Sequence, residues 1–282
     1  IRIAVLAHNE ERRIAACLQN LPLGRHDVAI HVAVNGSADA TAARAQEVAA
    51  GAGNITVHDW AEGGKARSWN RIVFDTLDGL SGMFVFVDGD AVVAPGSIDA
   101  LAGALADDPF ANAASAMPLN GRKAAQYRQS MRETHGLFGD LYALRGDFLL
   151  RMKRAGIRLP EDVIGDDGLI AAMVKCDLGN ESHWDDRRVT VCEGAGFYCE
   201  PVSLLSPVTL ALQYRRMRNY SLRHFQNRII SEIMRGAGAG AGALPRRLAA
   251  LYPLHVPNFR PRPRLPEWWF DRLALSQMAR CG

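Results

Sequence analysis

The sequence predicts an α/β fold built on a mixed, mostly parallel central sheet with helices on both faces. Three observations lead there. Apolar runs of strand length alternate with helical patterns through roughly the first 120 residues, the signature of βαβ units. Polar clusters (His8-Asn9-Glu10, Asn35-Gly36-Ser37, Asp88-Gly89-Asp90) close three of those runs, where open α/β sheets bind ligands. A hydrophobic content of 48% over 282 residues is enough to bury a sizeable core.

The elements follow in order. Ile1 to Ala7 is apolar except for Arg2 and predicts a strand. Asn9 reads as a helix N-cap, with Glu10 and Glu11 favouring the positive end of a helix running to about Asn20. Val28 to Val34 predicts a second strand, turned by Gly36 and Ser37, and Asp39 caps a helix to about Ala50. Ile55 to His58 predicts a short strand. Gly63 and Gly64 open a helix from about Ala66 to Leu77, and Met83 to Val87 predicts a buried strand ending in Asp88-Gly89-Asp90. Ala111 to Glu200 is acidic in its turns and shows no clear period. Gln213 to Arg235 reads as a basic helix, in which six arginines (Arg215, Arg216, Arg218, Arg223, Arg228, Arg235) face the single acid Glu232. Residues 236–242 are Gly and Ala only and predict a flexible linker. The tail beyond is rich in Pro and Arg and holds Trp268, Trp269 and Phe270. The domain division expected is 1–205, with a ligand-binding half (1–110) and a second half (111–205), followed by a basic helical extension (206–282).

A net charge of +3 is too small to indicate nucleic acid. Five cysteines with no CxxC pair argue against a disulfide framework and a zinc site, and suit a reducing cytoplasm. No apolar run reaches the ~18 residues that span a bilayer, and no signal peptide is visible.

Four motifs carry chemistry. Asp88 and Asp90, one residue apart after a strand, can share a hard cation such as Mg²⁺ or Mn²⁺ that also takes phosphate oxygen. Gly63-Gly64-Lys65 before a helix can approach a phosphate, although the P-loop spacing is absent. Gly165-Asp166-Asp167-Gly168 sets two carboxylates side by side, where repulsion can separate their pKa values and leave one as a general base. Gln213-Tyr214-Arg215-Arg216 offers cations for a diphosphate. Each has a bland counterpart: an acidic turn, a capped helix start, an N-cap, a solvated basic helix.

Their order is what carries weight. The run Ile3 to Glu11, the segment Val32 to Thr41 with its Asn35-Gly36-Ser37 turn, Gly64-Lys65-Ala66-Arg67-Ser68-Trp69-Asn70, the strand Phe84 to Asp90 followed by Pro95, Leu141-Tyr142-Ala143-Leu144-Arg145, Gly165-Asp166-Asp167 and Gln213-Tyr214-Arg215-Arg216-Met217 together resemble glycosyltransferase family 2. The resemblance covers about residues 1 to 218. It departs where His8 stands for a base-stacking Tyr, where Val34-Asn35 replaces an acidic pair, and where Met217 replaces the Trp linked to processive synthases.

The resemblance implies a GT-A fold and an inverting, non-processive transfer of sugar from a nucleotide-diphosphate donor, with a UDP-sugar expected first, to a saccharide or lipid-linked acceptor. It implies metal ligation by Asp90 with Asp88, and Asp88 otherwise at the ribose. Ala7, His8, Glu10 and Asn35 would line the nucleoside pocket. Lys65 would contact the diphosphate or ribose, and Gln213 and Arg216 would lie near the diphosphate or acceptor. Asp167 would be the base, with Asp166 beside it. The tail's arginines and aromatics suggest peripheral contact with the cytoplasmic membrane face. A sugar-phosphate nucleotidyltransferase and a non-catalytic basic module for membrane or nucleic acid are the rival readings. The first lacks its Gly-rich loop after the first strand, and the second leaves the ordered acidic motifs unexplained.

Overall fold

The computed structural model describes residues 1–77, 79–199, 207–236 and 240–281, with the backbone alone for 207–209, 211 and 212. The first half alternates as the apolar runs require. Strand β1 (Arg2–Ala7) leads to helix α1 (Ile14–Gln19), β2 (Ala29–Asn35) to α2 (Thr41–Ala50), and β3 (Ile55–Trp60) to α3 (Lys65–Asn70), which continues as a π turn over Arg71–Thr76. Strands β4 (Met83–Asp88) and β5 (Ala91–Val93) precede α4 (Ser97–Asp107). The second half adds β6 (Ala113–Pro118), α5 (Ala124–Thr134), β7 (Leu141–Arg145), α6 (Gly146–Arg154), α7 (Asp166–Lys175) and β8 (Val189–Cys199). Long α8 (Pro207–Arg235), short α9 (Tyr252–His255) and α10 (Glu267–Cys281) complete the chain.

The eight strands form one sheet in the order β3-β2-β1-β4-β7-β6-β8-β5. The first four run parallel, with Leu6 opposite Asp88 and Ala7 opposite Val34. Strand β7 enters antiparallel beside β4, and β5 pairs antiparallel with β8, Ala91 opposite Cys199. The strand order reverses between β1 and β4, the crevice where such sheets take ligands.

The central strands are apolar throughout because both faces are covered. Alternate residues divide between two cores. Ile3, Val5, Val85 and Val87 pack on one face with Ile14, Leu18 and Leu101. Ala4, Leu6, Phe84 and Phe86 pack on the other with Trp69, Tyr142 and Phe148. Phe225, Ile229 and Met234 of α8 and Ala274 and Met278 of α10 belong to this second core, so the basic extension shares the interior of the sheet domain.

Three local expectations change. The first helix begins at Ile14, not near Asn9, because Asn9 adopts a left-handed φ of 56° and its amide groups bind Ser37 and Ala38 across the turn. The helix expected through Leu77 changes hydrogen-bond spacing after Asn70. The Gly-Ala segment is not a free linker at its described end: Gly240 lies against Gly179, and Ala241 is buried with its N–H directed at the Gly179 carbonyl, 3.4 Å away. Residues 237–239, and the expected boundary at 205/206, lie outside the described residues. Among the described residues no helix is long and apolar enough to cross a membrane.

Candidate active site

The site is built around the end of β4. Asp88 is its last residue, and Gly89 turns the chain so that Asp90 precedes β5. Gly89 donates its N–H to the Leu6 carbonyl at 2.9 Å, and a Cβ there would lie 2.8 Å from that of Ala7. Only glycine permits this approach, which holds the two acids over β1. Asp140, just ahead of β7, accepts the Asp88 N–H on its carbonyl at 3.1 Å. Asp88, Asp90 and Asp140 can each bring a carboxylate oxygen within 4.8 Å of the others. A donor set made only of carboxylate oxygen fits a hard divalent cation.

The electrostatics agree with that fit. Burial and the charge of Asp140 push the Asp88 carboxyl well above the usual carboxylate range, against the pull of Lys65. Burial and Asp90 raise Asp140 as well, although the Cys199 thiol, donating to its Oδ1 at 3.2 Å, works the other way. Carboxylates held together against their own repulsion favour a cation. Lys65 supplies one positive charge: its Nζ stands 2.7 Å from Asp88 Oδ1 and 3.7 Å from Asp166 Oδ1. Burial disfavours the ammonium, but Asp166 and Asp88 together hold its pKa well above the ordinary value.

Beside this cluster lie the residues expected at the nucleoside. Asn35 is buried and its amide is engaged with backbone, donating to the Ala7 carbonyl at 2.9 Å and accepting from the Gly64 N–H at 3.2 Å. It ties β1, β2 and the Gly-Lys turn together, so its oxygen already has a donor. His8 is exposed; its Nδ1 donates to the Asn35 carbonyl at 2.7 Å, which leaves Nε2 to accept from the Asn9 amide at 3.0 Å. Glu10 forms an ion pair with Arg13, which also stands 3.4 Å from Asp90. Burial and Asp90 raise the Glu10 carboxyl to about 7 despite Arg13.

The second acidic pair faces the same place. Gly165 takes a left-handed φ of 83° and caps α7, so that Asp166 and Asp167 fall in its first turn, where negative charge is favoured. The two side chains then separate. Asp166 is buried behind Lys65, and its Oδ2 has no hydrogen-bond partner among the described residues. Asp167 is partly open and meets Arg223 Nη2 at 3.2 Å. Gly139 leaves a gap between Lys65 and Asp167: a Cβ there would sit 3.3 Å from Lys65 Nζ and 3.4 Å from Asp167 Cβ.

Residues singled out from sequence thus converge from β1 (Ala7, with His8 and Glu10 beyond it), β2 (Asn35), α3 (Lys65), β4 (Asp88, with Asp90) and α7 (Asp166, Asp167). Among the described residues Gln213 and Arg216 make no hydrogen bond or ion pair with the cluster; the α8 residue that reaches it is Arg223. Arg216 precedes Arg223 by seven residues, two helical turns, and so points from the same face about 10 Å away. Sequence reading missed Asp140, Arg13, Cys199 and Arg223 as site residues. The one available signal was an acid at a strand boundary, Gly139-Asp140 ahead of Leu141 to Arg145. Arg145, in that same motif, is structural: its guanidinium donates to the carbonyls of Leu105, Asp108 and Ala111 at the end of α4.

Comparison with known proteins agrees with this fold. No curated protein matches the chain by sequence. Among solved structures, the mannosyltransferase PcManGT from Pyrobaculum calidifontis, in complex with GDP-Man and Mn²⁺, is 22% identical with a TM-score of 0.61 over 100% of this chain and 75% of that one. S. aureus TarS 1-349 in complex with UDP-GlcNAc is 15% identical with a TM-score of 0.57, over 99% and 80%. Glucosyl-3-phosphoglycerate synthase from Mycobacterium tuberculosis, with Mn²⁺, UDP and glucosyl-3-phosphoglycerate, is 17% identical with a TM-score of 0.54, over 79% of each chain. At these identities the likeness is one of fold, the GT-A architecture expected from the sequence. The family model for glycosyl transferase family 2 matches residues 2–165, from β1 to the turn that starts α7, and this chain belongs to that family.

Proposed function

We propose that the protein is an inverting, non-processive glycosyltransferase that moves a sugar from a nucleotide-diphosphate donor to an acceptor hydroxyl in glycan or glycolipid synthesis. The observation that carries the reading is the convergence of two carboxylate sets. One is a cation-seeking trio at the end of β4, and the other is a partly open Asp167 facing it across Lys65.

Asp88, Asp90 and Asp140 would hold Mg²⁺ or Mn²⁺, which when bound neutralises charge on the departing diphosphate. Lys65 adds a fixed positive charge at the same place. Ala7 and His8 offer a backbone edge and an exposed imidazole to the base and ribose, while Asn35 and Glu10 shape that wall. Asp167 takes the proton from the acceptor hydroxyl as the bond to the anomeric carbon forms. Its partial exposure and its orientation by Arg223 suit a base held by a third group. Asp166, buried against Lys65, suits support. Arg216 and Gln213 stand along α8 toward the acceptor. The structural relatives are bound to UDP-, UDP-GlcNAc- and GDP-Man-type ligands, which supports a nucleotide-sugar donor and keeps UDP first and GDP beside it. A saccharide or lipid-linked acceptor on the cytoplasmic membrane face fits the basic extension.

The test is turnover of a panel of UDP- and GDP-sugars with Mn²⁺, repeated in excess EDTA. At least one donor should be consumed, and EDTA should stop it. Full turnover in EDTA, or none with any donor, would overturn the reading.

A further inference from the structure

The net charge of +3 conceals a division. Residues 207–282 carry thirteen arginines against three acids, a net of +10, whereas residues 1–206 carry twenty cations against twenty-seven acids, a net of −7. The basic part also leaves large apolar side chains in water. Leu210, Tyr214 and Tyr220 on α8, Leu265, and Trp268 and Trp269 on α10 are all exposed, Leu265 by 77% and Leu210 by 62%.

Helix geometry gathers these residues on one surface. At about 100° per residue, Leu210, Tyr214, Met217 and Tyr220 fall within a stripe roughly 120° wide on α8. Helix α10 buries Asp271, Ala274 and Met278 and turns Trp268, Trp269 and Arg272 the other way. The two helices are joined where the Tyr214 and Phe270 rings meet, centroids 5.5 Å apart, and where Arg218 donates to Gln277 at 2.8 Å. Exposed Arg264, one turn before Trp268, and Arg272 border the aromatic residues of α10, and Arg272 lies over the Trp268 ring at 4.8 Å. Neither of these two arginines forms an ion pair with a described residue.

Tryptophan and tyrosine beside unpaired arginine suit the boundary between lipid and water. The rings lodge among the headgroups and the guanidinium groups meet anionic lipid. The geometry points to this α8–α10 face as a docking surface for an anionic lipid bilayer. Helix α8 also carries Arg223, one turn beyond Tyr220, to Asp167. Docking therefore holds the candidate base near the bilayer and presents a membrane-anchored acceptor to it from the α8 side. The surface is larger than the tail that the sequence suggested, since α8 supplies half of it.

The inference gives a location to the membrane-face acceptor proposed above. Flotation reads attachment without turnover, so either reading can fail alone. The full chain is mixed with vesicles of phosphatidylcholine, with and without phosphatidylserine, at low and high salt. It should float with the anionic vesicles at low salt and be released at high salt, because exposed charges are screened. Arg264→Gln with Arg272→Gln should weaken partition on the order of 30-fold, at about fivefold per charge near the surface. Trp268→Ser with Trp269→Ser should weaken it as well. An unchanged melting temperature in both variants checks that they fold. Absence of flotation at low salt, or flotation indifferent to both variants, overturns the inference. So does loss in the variants of a dimer seen by sedimentation, which would assign the face to a second copy of the chain.

Discussion

Replacing Asp140 by asparagine should move stability and metal affinity in opposite directions. Asp140 lies within 4.8 Å of carboxylate oxygens on both Asp88 and Asp90. Two unit charges at that separation repel by about 3.5 kcal/mol at an effective dielectric of about 20. Lys65 at 2.7 Å from Asp88 offsets part of this, and side-chain exposures of 25% for Asp88 and 30% for Asp90 admit solvent. The relief on neutralising Asp140 is therefore a fraction of the pairwise figure, about 1–2 kcal/mol. In a chain of 282 residues that raises the melting temperature by roughly 2–3 °C in EDTA. Asparagine keeps the oxygen that accepts the Cys199 thiol. With Mn²⁺ present the variant lacks one anionic ligand, and affinity should fall by at least the ~10–100-fold that even outer partners of a metal produce. The rise in melting temperature caused by Mn²⁺ should shrink accordingly. Calorimetry in EDTA and across a Mn²⁺ titration reads both quantities. A lower melting temperature in EDTA together with an undiminished Mn²⁺ response would refute the three-carboxylate site.

Three further outcomes are expected. Asp167→Asn should slow transfer by about 10² to 10⁴ while donor binding stays near normal, since shape is kept and the proton acceptor is lost; native turnover in Asp167→Asn with loss in Asp166→Asn would reverse the two roles. Gly165→Ala drives a Cβ into the Arg223 guanidinium at a φ of 83°, so it should lower transfer, and a double-mutant cycle should show it costing less once Arg223→Ala is present; additive losses would disconnect the two residues. Burial, the neighbouring His58 and Arg2 lower the His31 pKa to about 4, so the unfolded chain binds the extra proton between about pH 6.5 and 4 and stability falls as pH drops through that window. The loss is about 1–3 kcal/mol at a half-buried site, and His31→Gln should flatten it in urea midpoints taken at pH 7.5 and 4.5.

Much of the fold was legible because local pattern and burial agree. Ile3, Val5, Phe84 and Val87 are apolar because β1 and β4 are covered on both faces, and an acid closing such a run stands at the rim of the sheet. Asp88, Asp90 and Asn35 could be picked out because they stand at strand ends, and Lys65 because it follows Gly63-Gly64 at a helix start. Asp140 could not, because its place depends on β7 entering antiparallel beside β4, a pairing between segments more than fifty residues apart that an acid at a strand boundary does not by itself reveal. Arg223 was one of six arginines on a helix until α8 packed onto the sheet and turned it toward Asp167. Asp166 and Asp167 are equivalent as letters, and the first turn of α7 separates them by sending one behind Lys65 and leaving the other partly open. Sequence alone therefore set the α/β class, the family and the strand-end chemistry, because those depend on short-range periodicity and turn residues. The approach of Asp140 to Asp88 and Asp90, the pairing of Asp167 with Arg223 and the split between Asp166 and Asp167 were decided by tertiary packing, because each arises from contacts between elements far apart in the chain.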